Sequence, residues 1–309
     1  VPEDLQTLTL IRGMNLILPS LFPAPLSLAV KIKDNLESRF LFIVPWKDFS
    51  IGGTHWEECS DPKAQWDAEK QILLNFHNQI QKSVCNETKM SEVLSWHVGY
   101  VPGIKKNGIG KSAGSKILSH YKLVDREKQK PGDVLQVVGV KFTTAFDVVC
   151  KALKRLFPDK TISDVLSFQV LPYGSTLNDI DQVEARFQES YQDKLSLDQC
   201  RYIFSLFGNT VPTIVTKYLT FHRETVTSLS AIEFYCGLTK YCVEKEMAIH
   251  LKDLVFRRLF PNTPKVIPRA LLSKLAQTMS ESLKWNTIQR ENEIKETIGQ
   301  WQTKRVLKY

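Results

Sequence analysis

No apolar run in the 309-residue chain approaches the roughly 18 residues that suggest a membrane-spanning helix, and the longest lies around Phe40 to Trp46. No charged n-region and apolar h-region open the sequence, and residue 1 is Val rather than Met, so the chain reads as one cut from something longer. Glycine and proline are sparse at 14 each, which excludes collagen-like and low-complexity classes. The six cysteines (Cys59, Cys85, Cys150, Cys200, Cys236, Cys242) form no C-x-x-C pair and have no histidine at metal-ligand spacing, so no metal site is expected. Cys150 in VVCKAL and Cys236 in EFYCGL lie in apolar segments, where a free thiol behaves as a small buried hydrophobe. A reducing, cytoplasmic compartment is the simplest home for such a set.

What is present describes an ordinary globular protein, 43% apolar and 24% charged. The length predicts about two domains with cores of their own. Lys and Arg number 41 against 33 Asp and Glu, a net +8 that favours anionic partners such as phosphorylated small molecules, nucleic acid or an acidic membrane surface. The basic residues are spread along the chain without a stripe of interleaved aromatics, so nucleic acid is not expected.

From Leu5 to about Thr54 the segments LTLIRGMNLILP, SLAVKI and RFLFIVP read as strands punctuated by Pro and Gly. After Asp61-Pro62, Leu73, Phe76 and Ile80 recur at i, i+3 and i+7, which predicts an amphipathic helix over 64–84. VLSWHVGYVP returns to strand character. The run from Gly103 to Lys116, GIKKNGIGKSAGSK, predicts a basic loop rather than a phosphate-binding one, since Lys105 stands where a Walker-type loop needs Gly. DVLQVVGV then reads as a strand, Gly139 as a turn, and FTTAFDVVCKALKRLF as a helix with Val149, Leu153 and Leu156 on one face. Thr144 and Asp147 have capping-box spacing, which places the first helical turn near Ala145 and aims its unpaired N–H groups at the 139–143 turn, an end that attracts anions. Beyond a boundary near residue 175 the periodicity is helical: Met247, Leu251, Leu254 and Val255 share one helix face, and Ile294, Ile298 and Trp301 share another.

Read in order, FLFIVPWKDFSIGGTH, VVGVKFTTAFDVV and EMAIHLKDLVFRRLF make the chain resemble the flavin-dependent glycerol-3-phosphate dehydrogenase family, within the D-amino-acid-oxidase-like flavoproteins. RGMNLILP resembles the strand before the substrate-domain hairpin, Pro45-Trp46 with Gly53-Thr54-His55 resembles the hairpin, and GVKFTTA resembles the G-G-K-x-T-T turn. The resemblance implies an α+β fold: a mixed or antiparallel substrate-domain sheet with a remnant of the FAD-binding α/β domain over 1–175, followed by an all-α C-terminal domain over 176–309. It also implies that the adenine end of FAD would sit on an N-terminal G-x-G-x-x-G segment, a fingerprint that this sequence lacks.

The same resemblance implies FAD as cofactor and a small hydroxylated, phosphorylated substrate, with quinone or oxygen as electron acceptor. Peripheral contact with the inner membrane is implied as well. It places Gly139, Val140, Lys141, Phe142, Thr143 and Thr144 beside the flavin, where backbone N–H groups and the Lys141 ammonium favour the negative charge of the reduced ring. Hydride removal from a carbinol needs a base, for which His55 or His120 are candidates; Asn15 stands where relatives carry His, and Arg12 and His120 are candidate substrate contacts. The family's G-x-R-P reads Gly99-Tyr100-Val101-Pro102 here, so the arginine that holds the substrate phosphate is a valine. An alternative that this departure leaves open is a non-catalytic relative that keeps the fold for binding or regulation.

Overall fold

In a computed structural model, the described residues are 8–22, 26–33, 38–59, 66–84, 93–105, 115–125, 134–139, 141–159, 179–219, 229–261 and 263–303. They fall into two compact units, one drawn from Val1–Phe168 and the other from Gln169–Thr303. The boundary expected near residue 175 lies in 160–178, outside the described residues.

Strands β1 (Leu8–Pro19), β2 (Leu28–Lys33), β3 (Ser38–Trp46), β4 (Phe49–Cys59), β5 (Ser95–Lys105) and β6 (Ser115–Ile117) form a six-stranded sheet in the order β2-β3-β4-β1-β5-β6. Every neighbouring pair is antiparallel. β1 is flanked on both edges, which suits its dense run of Leu and Ile: Leu16, Ile17 and Leu18 are all fully buried. Strand alternation sends Met14, Leu16 and Leu18 to one face, where helix α1 (Trp66–Val84) lays Leu73, Phe76 and Ile80 over them, as the i, i+3, i+7 spacing predicts. Leu41, Ile43 and Trp96 complete that core.

The opposite face carries Ile11, Gly13 and Asn15 of β1. Gly13 is needed there, because a Cβ would stand 2.4 Å from the Trp56 ring that crosses it. On β3 the intervening residues Phe40, Phe42 and Val44 are exposed on this face. A β-bulge interrupts the β1–β4 ladder: Met14 pairs with His55 and Asn15 with Gly53, which leaves Thr54 as the extra residue.

The expected loop over 103–116 is in part a hairpin arm. Gly103, Ile104 and Lys105 pair with Ile117, Lys116 and Ser115, and the intervening 106–114 lies outside the described residues. β7 (Lys122–Asp125) and β8 (Leu135–Val138) form a separate antiparallel pair, so the strand read over DVLQVVGV is four residues long. Gly139, at φ +73, leads toward a 3-10 turn at Phe142–Thr144 and helix α2 (Ala145–Leu156). The helix starts where the spacing placed it, but without the capping box. The Thr144 hydroxyl donates to the Lys141 carbonyl at 3.1 Å, and Asp147 is engaged elsewhere. The apolar face is also turned from the expected one: Val148 is the buried residue, Val149 is exposed, and Leu153 and Leu156 are half-buried.

The second unit is helical among its described residues: α3 (Ile180–Tyr191), α4 (Leu197–Phe207), α5 (Val211–Lys217), α6 (Ala231–Glu246), α7 (Leu251–Asp253), α8 (Arg269–Leu283) and α9 (Thr287–Thr303). Ser196 with Gln199, and Ser230 with Glu233, form reciprocal capping boxes that start α4 and α6. Met247 does not share a helix face with Leu251, Leu254 and Val255. It ends α6 in the left-handed conformation and is 83% exposed, while the other three are fully buried in α7 and the π-helical turns Leu254–Leu259 that continue it. Ile294 of α9 is buried and Ile298 packs on the same core, whereas the Trp301 side chain lies outside the described residues.

Among the described residues no cysteine is in a disulfide: Cys59, Cys200 and Cys242 are buried, whereas Cys150 and Cys236, expected to be buried, are only half-buried. Among the described residues no helix is long and apolar enough to cross a membrane, and no group of three His, Cys, Asp or Glu is placed to hold a metal.

Candidate functional site

Helix α2 and the turn before it carry Lys141, Thr144, Asp147, Lys151 and Arg155 at spacings of three and four, which puts them on one helix face. That face forms one wall of a cavity of about 880 Å³ inside the first unit. Trp56 of β4, Val101 and Pro102 of β5, Ile117 of β6 and Leu123 of β7 make the facing wall, joined by the segment from Leu118 to Tyr121. Gly139 lines it as well, and its lack of a side chain is structural: a Cβ would lie 2.8 Å from Leu118 Cδ2 and 3.1 Å from Pro102 Cγ.

The polar wall is held in place by its own contacts. Tyr121 Oη donates to Asp147 Oδ2 at 2.5 Å, and Lys151 Nζ donates to the same oxygen at 3.0 Å while lying 5.5 Å from the Tyr121 ring centre. The Tyr121 hydrogen bond, with Lys151 second, holds the Asp147 carboxyl below its ordinary range. Tyr121, and after it Asp147, raise Lys151, so the pair stays ionised. Both side chains are more than half exposed, which makes the pair a positioning device rather than a source of stability. Further along, Arg155 Nη1 donates to the Leu123 carbonyl at 2.9 Å, which fixes the guanidinium over β7.

Of the residues singled out in the sequence, Gly139, Lys141, Thr144 and His120 line this cavity together. Val101, where the family's arginine would stand, lines it too. Phe142 is 99% exposed and Thr143 is exposed, so neither side chain lines it; Val140 lies outside the described residues. The structure does not bring His55, Asn15 or Arg12 into the cavity. His55 pairs across from Met14 on the helix-covered face, its ring 5.4 Å from Phe76 and Nε2 4.0 Å from Glu57 Oε2. Arg12 shares that face; it is 7% exposed and its Nε donates to Glu57 Oε1 at 2.7 Å, with Nη2 reaching the same oxygen. Its charge is therefore matched inside the fold. Asn15 is on the other face, where its Oδ1 accepts the Thr54 hydroxyl at 2.9 Å across the bulge.

Trp56, Tyr121, Lys151 and Arg155 were not anticipated. The signal for two of them is in the sequence: K-x-x-T-x-x-D-x-x-x-K-x-x-x-R from Lys141 to Arg155 is a polar stripe with helical spacing, beside the apolar face of the same helix.

Among solved structures the chain is similar to the glycerol-3-phosphate dehydrogenase from Bacillus halodurans complexed with FAD, with a TM-score of 0.68 and 16% sequence identity, covering 96% of this chain and 57% of that one. The two share a fold. The chain thus spans little more than half the length of that dehydrogenase, and at this identity the likeness is one of fold. No family model and no curated protein matches the sequence.

Proposed function

We propose that the chain is the substrate-binding and C-terminal helical portion of an FAD-dependent oxidoreductase that oxidises a small hydroxylated substrate. The observation that carries this reading is the cavity: four residues singled out by the sequence motifs, Gly139, Lys141, Thr144 and His120, line one hollow in a fold shared with an FAD-complexed dehydrogenase. Its chemistry suits a planar group with a hydroxylated chain, since the apolar Trp56 and Leu118 stand with the Ser119, Tyr121 and Thr144 hydroxyls and the Lys141 ammonium. The sequence has no G-x-G-x-x-G turn to take the adenine end.

When bound, the flavin supplies the hydride acceptor. Lys141 would supply a positive charge beside the flavin ring, and the glycine at 139 lets the backbone pass close to Leu118 and Pro102 at the head of the site. Trp56, Val101 and Leu118 keep water from the reacting carbon. His120, the imidazole lining the cavity, would take the substrate's hydroxyl proton on a ring nitrogen. His55, which packs on Phe76, is not placed for that task. Quinone or oxygen would be the electron acceptor.

The test is a titration of the purified chain with FAD and with FMN, followed by flavin fluorescence and the long-wavelength absorption band, then by anaerobic addition of glycerol 3-phosphate and other small alcohols. Saturable binding followed by bleaching with one of them is the expected result; no saturable flavin binding would sink the reading. A second reading, a non-catalytic relative that keeps the fold for binding or regulation, is favoured by Val101 at the place of the family's arginine. It predicts that no alcohol bleaches the flavin.

A further inference from the structure

We propose that the exposed apolar side of α2 is where two copies of this chain meet, helix against helix and antiparallel, in a two-fold symmetric dimer.

The spacing points there first. Phe142, Phe146, Val149, Leu153 and Leu156 follow one another at intervals of four, three, four and three, the seam along which one helix receives the side chains of another. A helix turns about 100° per residue, which sets this seam on the side of α2 away from Lys141, Thr144, Lys151 and Arg155, and so away from the cavity that they line. Val148 is the one residue of α2 buried within its own unit. By contrast Phe142 stands in the open, Phe146 is 65% and Phe157 51% exposed, and Val149 is exposed between them. A single apolar side chain on a surface is ordinary, whereas three phenylalanines and a valine along one helix form a patch of the kind that marks an interaction site.

The borders of the seam favour a second copy over other partners. Ala145 and Ala152 lie along one border and Thr143 and Cys150 along the other, so neither carries a charge. Two copies therefore meet without setting lysine against lysine, a condition that a chain of net charge +8 must satisfy wherever it pairs with itself. Small residues at these positions also let the two helix axes approach. A helix lying on anionic lipid needs Lys and Arg that reach the headgroups beside its apolar side, and these borders hold none. The antiparallel sense follows from symmetry: a two-fold axis across the middle of α2 lays the Phe146 end of one copy over the Phe157 end of its partner and sets the helix dipoles head to tail.

The area sets the strength. A buried aromatic side chain covers about 150–250 Å², so the three phenylalanines with Val149 and Cys150 offer on the order of 500 Å² per copy. Two copies together reach about 1,000 Å², the lower limit for a specific pairing, so a reversible dimer with a dissociation constant in the micromolar range is expected.

Sedimentation velocity of the full chain over about 1–200 µM tests the pairing. A monomer–dimer equilibrium is the expected result, and Val149→Glu or Phe146→Glu, each setting a carboxylate on the seam, should weaken it about tenfold or more. Lys154→Gln, off the seam, should leave it unchanged. Both seam positions are exposed in one copy, so the dilute variants should melt where the dilute parent does. A lower melt would place those side chains in the unit's own core and overturn the proposal. A parent that stays monomeric throughout, or a dimer that both seam variants leave intact, would overturn it as well. Co-sedimentation of a monomeric parent with phosphatidylglycerol vesicles, lost in Val149→Glu, would assign the same face to lipid instead.

Discussion

Gly139 and Gly99 lie in the same unit and invite the same substitution, with opposite expected outcomes. Gly139 has φ +73, and a non-glycine residue there costs about 1–2 kcal/mol in backbone energy alone. The new methyl would also stand 2.8 Å from Leu118 Cδ2 and 3.1 Å from Pro102 Cγ. Leu118 is buried and the proline ring cannot rotate away, so overpacking adds about 1–2 kcal/mol. The stiffer unfolded chain returns about 0.4–1 kcal/mol. Gly139→Ala is therefore expected to destabilise the first unit by about 2–3 kcal/mol, a drop in Tm of about 4–12 °C for a unit of this size. At Gly99 no atom lies within 4 Å of the added methyl, and the strand backbone accepts alanine. Gly99→Ala is expected to be neutral or to gain up to about 1 kcal/mol. Trp46, Trp56, Trp66 and Trp96 all belong to this unit, so a thermal melt followed by tryptophan fluorescence reads its transition. A Gly139→Ala melt at or above that of the parent, or equal losses for both variants, would refute the reasoning about the turn.

Phe76→Ala removes the ring at the centre of the α1–sheet core and is expected to cost about 3–5 kcal/mol, visible in the same melt. The Asp147 carboxyl is held low by Tyr121 and Lys151, so the favourable contact is present above the ordinary aspartate range and is lost as pH falls through the depressed value. An NMR titration of that carboxyl should have its midpoint below about 3.9, and Tyr121→Phe should move it up; a midpoint that stays put would contradict the hydrogen bond as its main cause. Ser230→Ala opens the capping box of α6 and should lower the second unit's stability by about 1 kcal/mol, measured by far-UV circular dichroism on heating. Arg258 meets Glu246 at 2.9 Å, and burial pushes that carboxyl up, with Arg258 opposing the rise. Arg258→Met should raise it further and cost about 1–2 kcal/mol, a modest loss because the pair is partly exposed.

The fold was legible where one face of an element carries the pattern. Leu73, Phe76 and Ile80 announced α1 and the sheet it covers, and the apolar runs of β1 and β3 marked them as strands without telling which residues face inward. Legibility failed where a second constraint competed. Thr144 and Asp147 have the spacing of a cap, but Tyr121, distant in sequence, takes the carboxylate. Met247 continues the period of Leu251 and Leu254, yet α6 stops before it. For the site, the turn could be read from its motif, whereas the wall that faces it comes from β4 to β7 and depends on strand pairings that no local pattern encodes. His55 shows the limit most plainly: its placement follows from the bulge, and a one-residue irregularity leaves no mark in composition or period.

That extra residue makes β4 a strand in two phases. Its segments before and after Thr54 keep independent account of inside and outside, because strand side chains alternate with a period of two. Loss of Thr54 would leave Gly53 and His55 as neighbours opposite Asn15 and Met14, so both segments would keep their pairings and their faces in a regular ladder. A ladder that kept Thr54 but took it into regular pairing would either turn Trp56 under α1 and set His55 and Glu57 on the open face, away from Arg12, or invert the 49–53 arm and lift Ser50 and Gly52 out of the core. The cavity's Trp56 and the buried Arg12–Glu57 pair thus depend together on the bulge that keeps Thr54 out of the ladder.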